Sequence, residues 1–253
     1  NHLFCIWDPS HWAALFPSCG GLRQSPINIV SSKVHVNSAL PPFDFIGHTN
    51  TLNITVENKG HSAHFHLPQS VRLTGGALPG HYRASQFHFH WGGNGNPGSE
   101  HTIDGERFPM ELHIVHIKEP YGTLAEAEHD LAGIALLGFL FEVMKRRLFI
   151  TIQTSAVMMM MFSPQESADD HPHLDPIIAA LGRVQNNELH NYYRYVGSIT
   201  TPGCEQAVTW TLFHKTLAIS SRQVRKPEFL KKRISKPWRT DGNNSFMCFL
   251  LSF

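Results

Sequence analysis

A chain of 253 residues, 42% of them hydrophobic, is long enough to bury a large core, which excludes intrinsic disorder. Lys plus Arg number 21 against 20 for Asp plus Glu, so the net charge of +1 offers no basic field for a phosphate backbone and excludes nucleic acid as a partner. The longest apolar run, Ala132 to Phe141, is closed by Glu142 and falls short of the roughly 20 residues a membrane span needs, so any membrane attachment would have to come from an anchor not present in this chain.

In chain order, β-forming segments occur at Leu52–Glu57, Ser62–Leu67, Gln86–Trp91, Met110–Ile117, Leu148–Thr154, Tyr192–Val196 and Ala207–His214. Helical periodicity is found in Leu124–Glu128 leading to Asp130–Met144, in Asp175–Leu181, and in Ser221–Lys232 after a Ser cap. Gly and Pro fall in short turn clusters such as Leu40-Pro41-Pro42 and Gly75-Gly76, and no repeat interrupts the pattern. The expectation is a mostly β, α+β protein with peripheral helices, organised as one domain over 1–253. A start at Asn1 fits a mature chain whose signal peptide has been removed.

The unusual number is 18 histidines among otherwise sparse acids and bases, which directs attention to metal or proton chemistry. In Gln86-Phe87-His88-Phe89-His90-Trp91, polar and aromatic residues alternate, so on a strand His88 and His90 share one face and Phe87, Phe89 and Trp91 the other. After the turn-rich Gly92–Gly98, Glu111-Leu112-His113 reads as a second strand that can return antiparallel and bring in a third imidazole, His113. Three histidines with a fourth position open are the donor set of a catalytic zinc, whereas structural zinc is closed by four protein ligands. Any single histidine in such a chain is more often a satisfied core or surface residue. This trio stands out because Gln86 and Glu111 each precede a histidine by two residues on its own face, where a metal-bound imidazole needs an acceptor for its other N–H. His64-Phe65-His66 has no glutamine or glutamate close by in sequence, and His171-Pro172-His173 contains a proline that spoils a strand.

Cys5, Cys19, Cys204 and Cys248 show no C-x-x-C spacing, so a thiolate zinc site or redox pair is not expected, and disulfides or free thiols remain open. Two sequons, at Asn53 and Asn243, favour the secretory pathway and glycosylation there.

With these strings the sequence resembles the α-class carbonic anhydrases, in particular the extracellular branch. The resemblance is carried by Arg23-Gln24-Ser25-Pro26-Ile27-Asn28-Ile29, Asn58-Lys59-Gly60-His61-Ser62, Gln86 to Gly92, Gly98-Ser99-Glu100-His101 through Gly105, Glu111 to His116, Tyr195 through Pro202, and Val208-Thr209-Trp210. It implies a large twisted, mainly antiparallel central sheet with zinc in a conical cleft, and reversible hydration of carbon dioxide to bicarbonate and a proton. Residue by residue it implies His88, His90 and His113 as ligands, Gln86 and Glu111 behind them, and zinc-generated hydroxide as nucleophile. Thr200 and Glu100 would orient that nucleophile and His61 would shuttle protons. Val115, Leu136, Ile199, Thr201, Val208 and Trp210 would line the substrate site. It implies further that part of Asp130–Met144 is strand, that Cys19 pairs with Cys204, that sulfonamide-type anions bind, and that the protein is secreted or held at the outer cell surface.

The chain departs from the family pattern at 146–170, 182–191 and 239–253. Lys59 stands where many relatives carry asparagine, and His64 falls on a position facing the cleft; either could perturb or supplement the proton relay. Two competing readings are a catalytically silent family member acting as a binding module, and a histidine-rich metal-buffering protein with several weak sites.

Overall fold

Strands dominate because β-branched and aromatic residues recur at period two between turn residues. The computed structural model describes residues 9–48, 54–59, 62–92, 96–143 and 191–219. Its strands are β1 (Asn28–Ile29), β2 (Phe43–Ile46), β3 (Thr55–Asn58), β4 (Ala63–His66), β5 (Arg72–Gly75), β6 (Tyr82–Trp91), β7 (Thr102–Ile103), β8 (Glu106–Arg107), β9 (Met110–Lys118), β10 (Ile134–Val143), β11 (Tyr192–Gly197) and β12 (Val208–Ile219). Two one-turn helices, α1 (Trp12–Leu15) and α2 (Leu124–Ala127), lie at the periphery. The reading of a mostly β protein with peripheral helices therefore holds.

Among the described residues, nine strands form one sheet, in the order β11-β12-β10-β9-β6-β4-β3 with β5 and β2 branching from β6. Neighbours are antiparallel except β10 and β12, which run parallel. Strands β1, β7 and β8 form a separate small sheet.

One expectation needs correcting. The helical periodicity over Asp130–Met144 does not describe its second half, because Ile134–Val143 is a central strand, paired to β9 on one side and β12 on the other. Eight of its residues, Ile134 to Phe141, are buried. A strand covered on both faces loses the alternation that would reveal it, and an apolar run of this length cannot be told from a buried helix by period. The resemblance was the better guide here.

The two faces of the sheet carry different cargo. One face packs Phe65, Phe87, Phe89, Leu112, Ile114, Phe139, Phe141 and Phe213 into the main core. The other carries the histidine strands at one end of an apolar cluster that includes Val115, Leu136, Val208 and Trp210. A bulge at Ser85 decides which residues of β6 go where. Ala84 pairs with His116 and Gln86 with Val115, so Ser85 is an extra residue opposite β9. Tyr82 and Ala84 before it belong to the main core, as do Phe87 and Phe89 after it. The inserted residue thus changes the phase of alternation along the sequence, and Gln86, His88 and His90 face away from that core.

The main core also holds a histidine pair, His48 and His116, with 2% and 0% exposure and ring centroids 6.1 Å apart. None of their four ring nitrogens makes a hydrogen bond of normal geometry. Burial pushes His48 down to about 4, and burial together with His48 pushes His116 down to about 3. The unfolded chain takes up both protons near pH 6.5, whereas the folded chain resists them until about pH 4 or below. Their contribution to stability is therefore complete above pH 6.5 and is lost as pH falls, at up to about 1.4 kcal/mol per pH unit for each histidine. Urea unfolding at pH 7 and pH 5 should show a smaller acid-induced loss in the His48→Leu/His116→Leu variant than in the parent. An equal loss would assign the acid sensitivity to other groups.

Candidate metal centre

Strands β6 and β9 place His88 directly opposite His113 and His90 opposite Glu111. The three imidazole centroids lie 4.5 to 5.3 Å apart. One ring nitrogen from each of His88, His90 and His113 falls within 4.8 Å of the others, a group that could hold a metal ion. The side chains of His90 and His113 retain 9% and 1% exposure, so the group is recessed.

The far nitrogens explain which atoms face inward. Nδ1 of His88 donates to the Gln86 amide oxygen at 2.9 Å, which leaves Nε2 for a ligand. Nε2 of His113 donates to Glu111 Oε1 at 2.7 Å, which leaves Nδ1. Glu111 Oε1 also receives Nδ1 of His101 at 2.7 Å, and Oε2 receives the backbone N–H groups of Glu100 and His101 at 2.8 and 2.9 Å. Burial alone would push the Glu111 carboxyl up, but His101 and His113 beside it hold it well below the usual carboxylate range. Burial lowers His113 and outweighs the opposing pull of Glu111, so its ring is neutral and its lone pair is available to a metal.

Glu100 lies beside the group, with Oε1 3.3 Å from His90 Nδ1 and Oε2 3.9 Å from His113 Nδ1. Burial and the nearby Glu111 raise its carboxyl well above the ordinary range, while a hydrogen bond with the Thr200 side chain and the charge of Arg107 act in the opposite direction. A divalent cation held by the three imidazoles would add to that opposing pull. Thr200 is kept near the centre by its own loop. Ile199 N–H donates to Glu205 O at 3.1 Å, Cys204 N–H donates to Thr201 O at 3.0 Å, and Cys19 and Cys204 are joined in a disulfide.

The apolar side of the site is Val115, Leu136, Val208 and Trp210, with Ile199 packed against them. Leu136 pairs with Val115 on one side and Trp210 on the other, and the Trp210 ring centroid is 4.9 Å from that of His113. Thr201 is partly exposed beside Thr200. His64 stacks on His88 at 4.9 Å. His66, which has no acidic neighbour in sequence, meets Glu57 across β3 and β4 at 3.0 Å, and Lys59 pairs with the same carboxylate at 2.7 Å. Strand pairing supplied an acceptor that local sequence did not reveal. His61, Asn53, Asn243, Cys5 and Cys248 lie outside the described residues, as do Leu148–Thr154, Asp175–Leu181, Ser221–Lys232 and nearly all of the three atypical segments.

Four residues at the site had not been singled out from sequence: His101, Tyr195, Ser25 and Ser198. Each stands inside a string quoted above, but they meet only through folding, with Ser25 and Ser198 separated by 173 positions.

A recessed three-histidine donor set on paired strands of a large β-sheet, with acceptors behind the imidazoles, defines the class as one with a site that could hold a metal ion. The family model for eukaryotic-type carbonic anhydrase matches residues 7–239. The chain is 36% identical over 222 residues to carbonic anhydrase 7 of Homo sapiens, covering 86% of this chain and 81% of that protein. It is 35% identical over 243 residues to carbonic anhydrase 4 of Rattus norvegicus, covering 88% and 70%, and 33% identical over 228 residues to carbonic anhydrase 6 of Bos taurus, covering 88% and 69%. The chain belongs to the eukaryotic-type carbonic anhydrase family.

Proposed function

We propose that this protein catalyses the reversible hydration of carbon dioxide to bicarbonate and a proton, using zinc held by His88, His90 and His113. The observation that carries the reading is the convergence of three ring nitrogens whose far nitrogens are engaged by Gln86 and Glu111 in the case of His88 and His113. Neutral imidazoles in an open three-ligand set fit zinc. Zinc bound there supplies a hydroxide nucleophile at neutral pH.

The chain's own residues do the rest. A Thr200 hydroxyl that donates to Glu100 has only lone pairs left for an approaching group, so it accepts from the nucleophile and turns it toward the substrate. Val115, Leu136, Ile199, Val208 and Trp210 provide a dry wall for a small apolar molecule, and Thr201 borders it. His61 returns the proton to solvent, since a histidine titrates near neutral pH. Sulfonamide-type anions compete for the same open position. The Cys19–Cys204 disulfide supports residence in an oxidising compartment, outside the cell, with Asn53 and Asn243 as glycosylation sites.

The test is zinc analysis of purified protein together with stopped-flow carbon dioxide hydration. One zinc per chain with hydration supports the proposal; one zinc without hydration identifies a silent binding module, and several weakly held metals identify a buffer. Within that assay, Thr200→Ala should lower kcat/KM by about 10²-fold and be insensitive to buffer. His61→Ala should instead lower kcat by about ten-fold or more in weak buffer, leave kcat/KM nearly unchanged, and recover with added imidazole. No change in His61→Ala would move the relay to His64 or to water.

A further inference from the structure

We propose that Tyr195 is a positioning residue for the metal centre, whose hydroxyl closes a ring of hydrogen bonds linking the His113 ligand to the Thr200 loop. The inference rests on the reading that His113 holds zinc. The ring begins at Glu111, where Oε1 receives two imidazoles and Oε2 two backbone N–H groups, so no lone pair is left to carry a proton. Both imidazoles must therefore donate to it. With one proton on the ring, the His101 Nδ1–H goes to Glu111 and Nε2 is left to accept.

Tyr195 is the partner, with its oxygen 2.6 Å from His101 Nε2. Its proton is committed to that bond, so its oxygen must accept from Ser25 Oγ at 2.9 Å. Ser25 Oγ in turn accepts the Ser198 N–H at 3.0 Å, and Ser25 N–H donates to Ser198 Oγ at 2.9 Å. Ser198 O is held by the indole N–H of Trp210 at 3.0 Å. Two residues later comes Thr200, whose side chain bonds to Glu100, and the Glu100 backbone N–H returns to Glu111. The side-chain donor directions through His101, Tyr195 and Ser25 follow from the four donors that converge on Glu111.

The packing is arranged to keep this path tight. Tyr195 and His101 both lie against Trp210, with centroids at 6.2 and 4.7 Å. Gly197 leaves the space that a Cβ would take from Ser25 Oγ and the Tyr195 ring. A hydroxyl in the middle of this path satisfies His101 Nε2 and holds that ring against Glu111, and so steadies the carboxylate that sets the direction of His113 Nδ1.

The experiment compares zinc release from holo wild type and holo Tyr195→Phe into excess chelator, with urea unfolding of both apo forms measured alongside. Release should accelerate about 10- to 100-fold in Tyr195→Phe, out of proportion to any change in apo stability. An unchanged release rate from a zinc-loaded, folded variant overturns the inference and leaves the proposed function standing, whereas wild type that holds no zinc overturns the function itself. The second measurement needs no variant: long-range ¹⁵N–¹H correlation in the wild type should find His101 protonated at Nδ1 and bare at Nε2. The opposite tautomer excludes donation from Tyr195 and overturns the inference whether or not Tyr195→Phe folds.

Discussion

His88→Ala is expected to abolish zinc retention after dialysis and to reduce carbon dioxide hydration to the uncatalysed background. With one imidazole gone, only two nitrogens of the three-histidine set remain, on strands held by backbone ladders. Without the metal, water keeps its ordinary pKa of about 15.7 and hydroxide is not supplied at neutral pH. The three ligands will not behave alike in stability. His88 leaves behind a neutral amide, Gln86, with 9% exposure, whereas His113→Ala removes a partner from the fully buried carboxylate of Glu111. Stranding part of a buried charge network costs on the order of 3–5 kcal/mol, so His113→Ala should unfold at lower urea than His88→Ala although both lose metal. Metal analysis, hydration kinetics and urea titration check the three parts separately. Full activity without metal would sink the zinc reading.

The second large effect belongs to the Cys19–Cys204 bridge, which closes a loop over a sequence separation of 185. In the chain-entropy model a loop of this length contributes about 5 kcal/mol, equivalent to a fall of roughly 10–20 °C in Tm when the bridge is opened. The bridge also ties the loop of Thr200 and Thr201 to the Pro17–Gly20 turn, alongside the hydrogen bonds from Arg23 N–H to the Gln206 side chain and from the Gln24 side chain to Ser18 O. Reduction should therefore lower kcat/KM under conditions where the protein is still folded, and the Cys19→Ala/Cys204→Ala variant should reproduce both losses. Peptide mapping that finds both thiols free in non-reduced protein would refute the bridge.

The parts of the fold that sequence revealed are those whose residues alternate in type or are β-branched and aromatic, even where, as in β9, both faces are buried. Strands β4, β6, β9, β11 and β12 each overlap a segment read from alternation or β-forming residues, and the antiparallel return of β9 on β6 followed from the turn between them. Strand β10 was obscured because Ile134 to Phe141 is an unbroken apolar run with no polar residue to mark a period, as Glu111, His113 and His116 do in the equally buried β9, and β2 and β5, with four residues each, are too short to carry one. At the metal centre the ligands and their immediate acceptors were legible because they lie two residues apart on the same strand. The Ser25–Tyr195–His101 path was not, because hydrogen bonds between segments some 94 and 170 positions apart leave no local signature.

The single extra residue at Ser85 also bears on how intact motifs should be judged. Ser85 stands outside the ladder, so Ala84 and Gln86 take successive pairs with His116 and Val115, and Gln86, His88 and His90 keep the cleft face whether or not the extra residue is present. A residue gained or lost between Gln86 and His90, by contrast, would keep every histidine and every acceptor, align almost without penalty, and still put part of the set on the phenylalanine face. Inheritance of this site is therefore a matter of counting as much as of spelling.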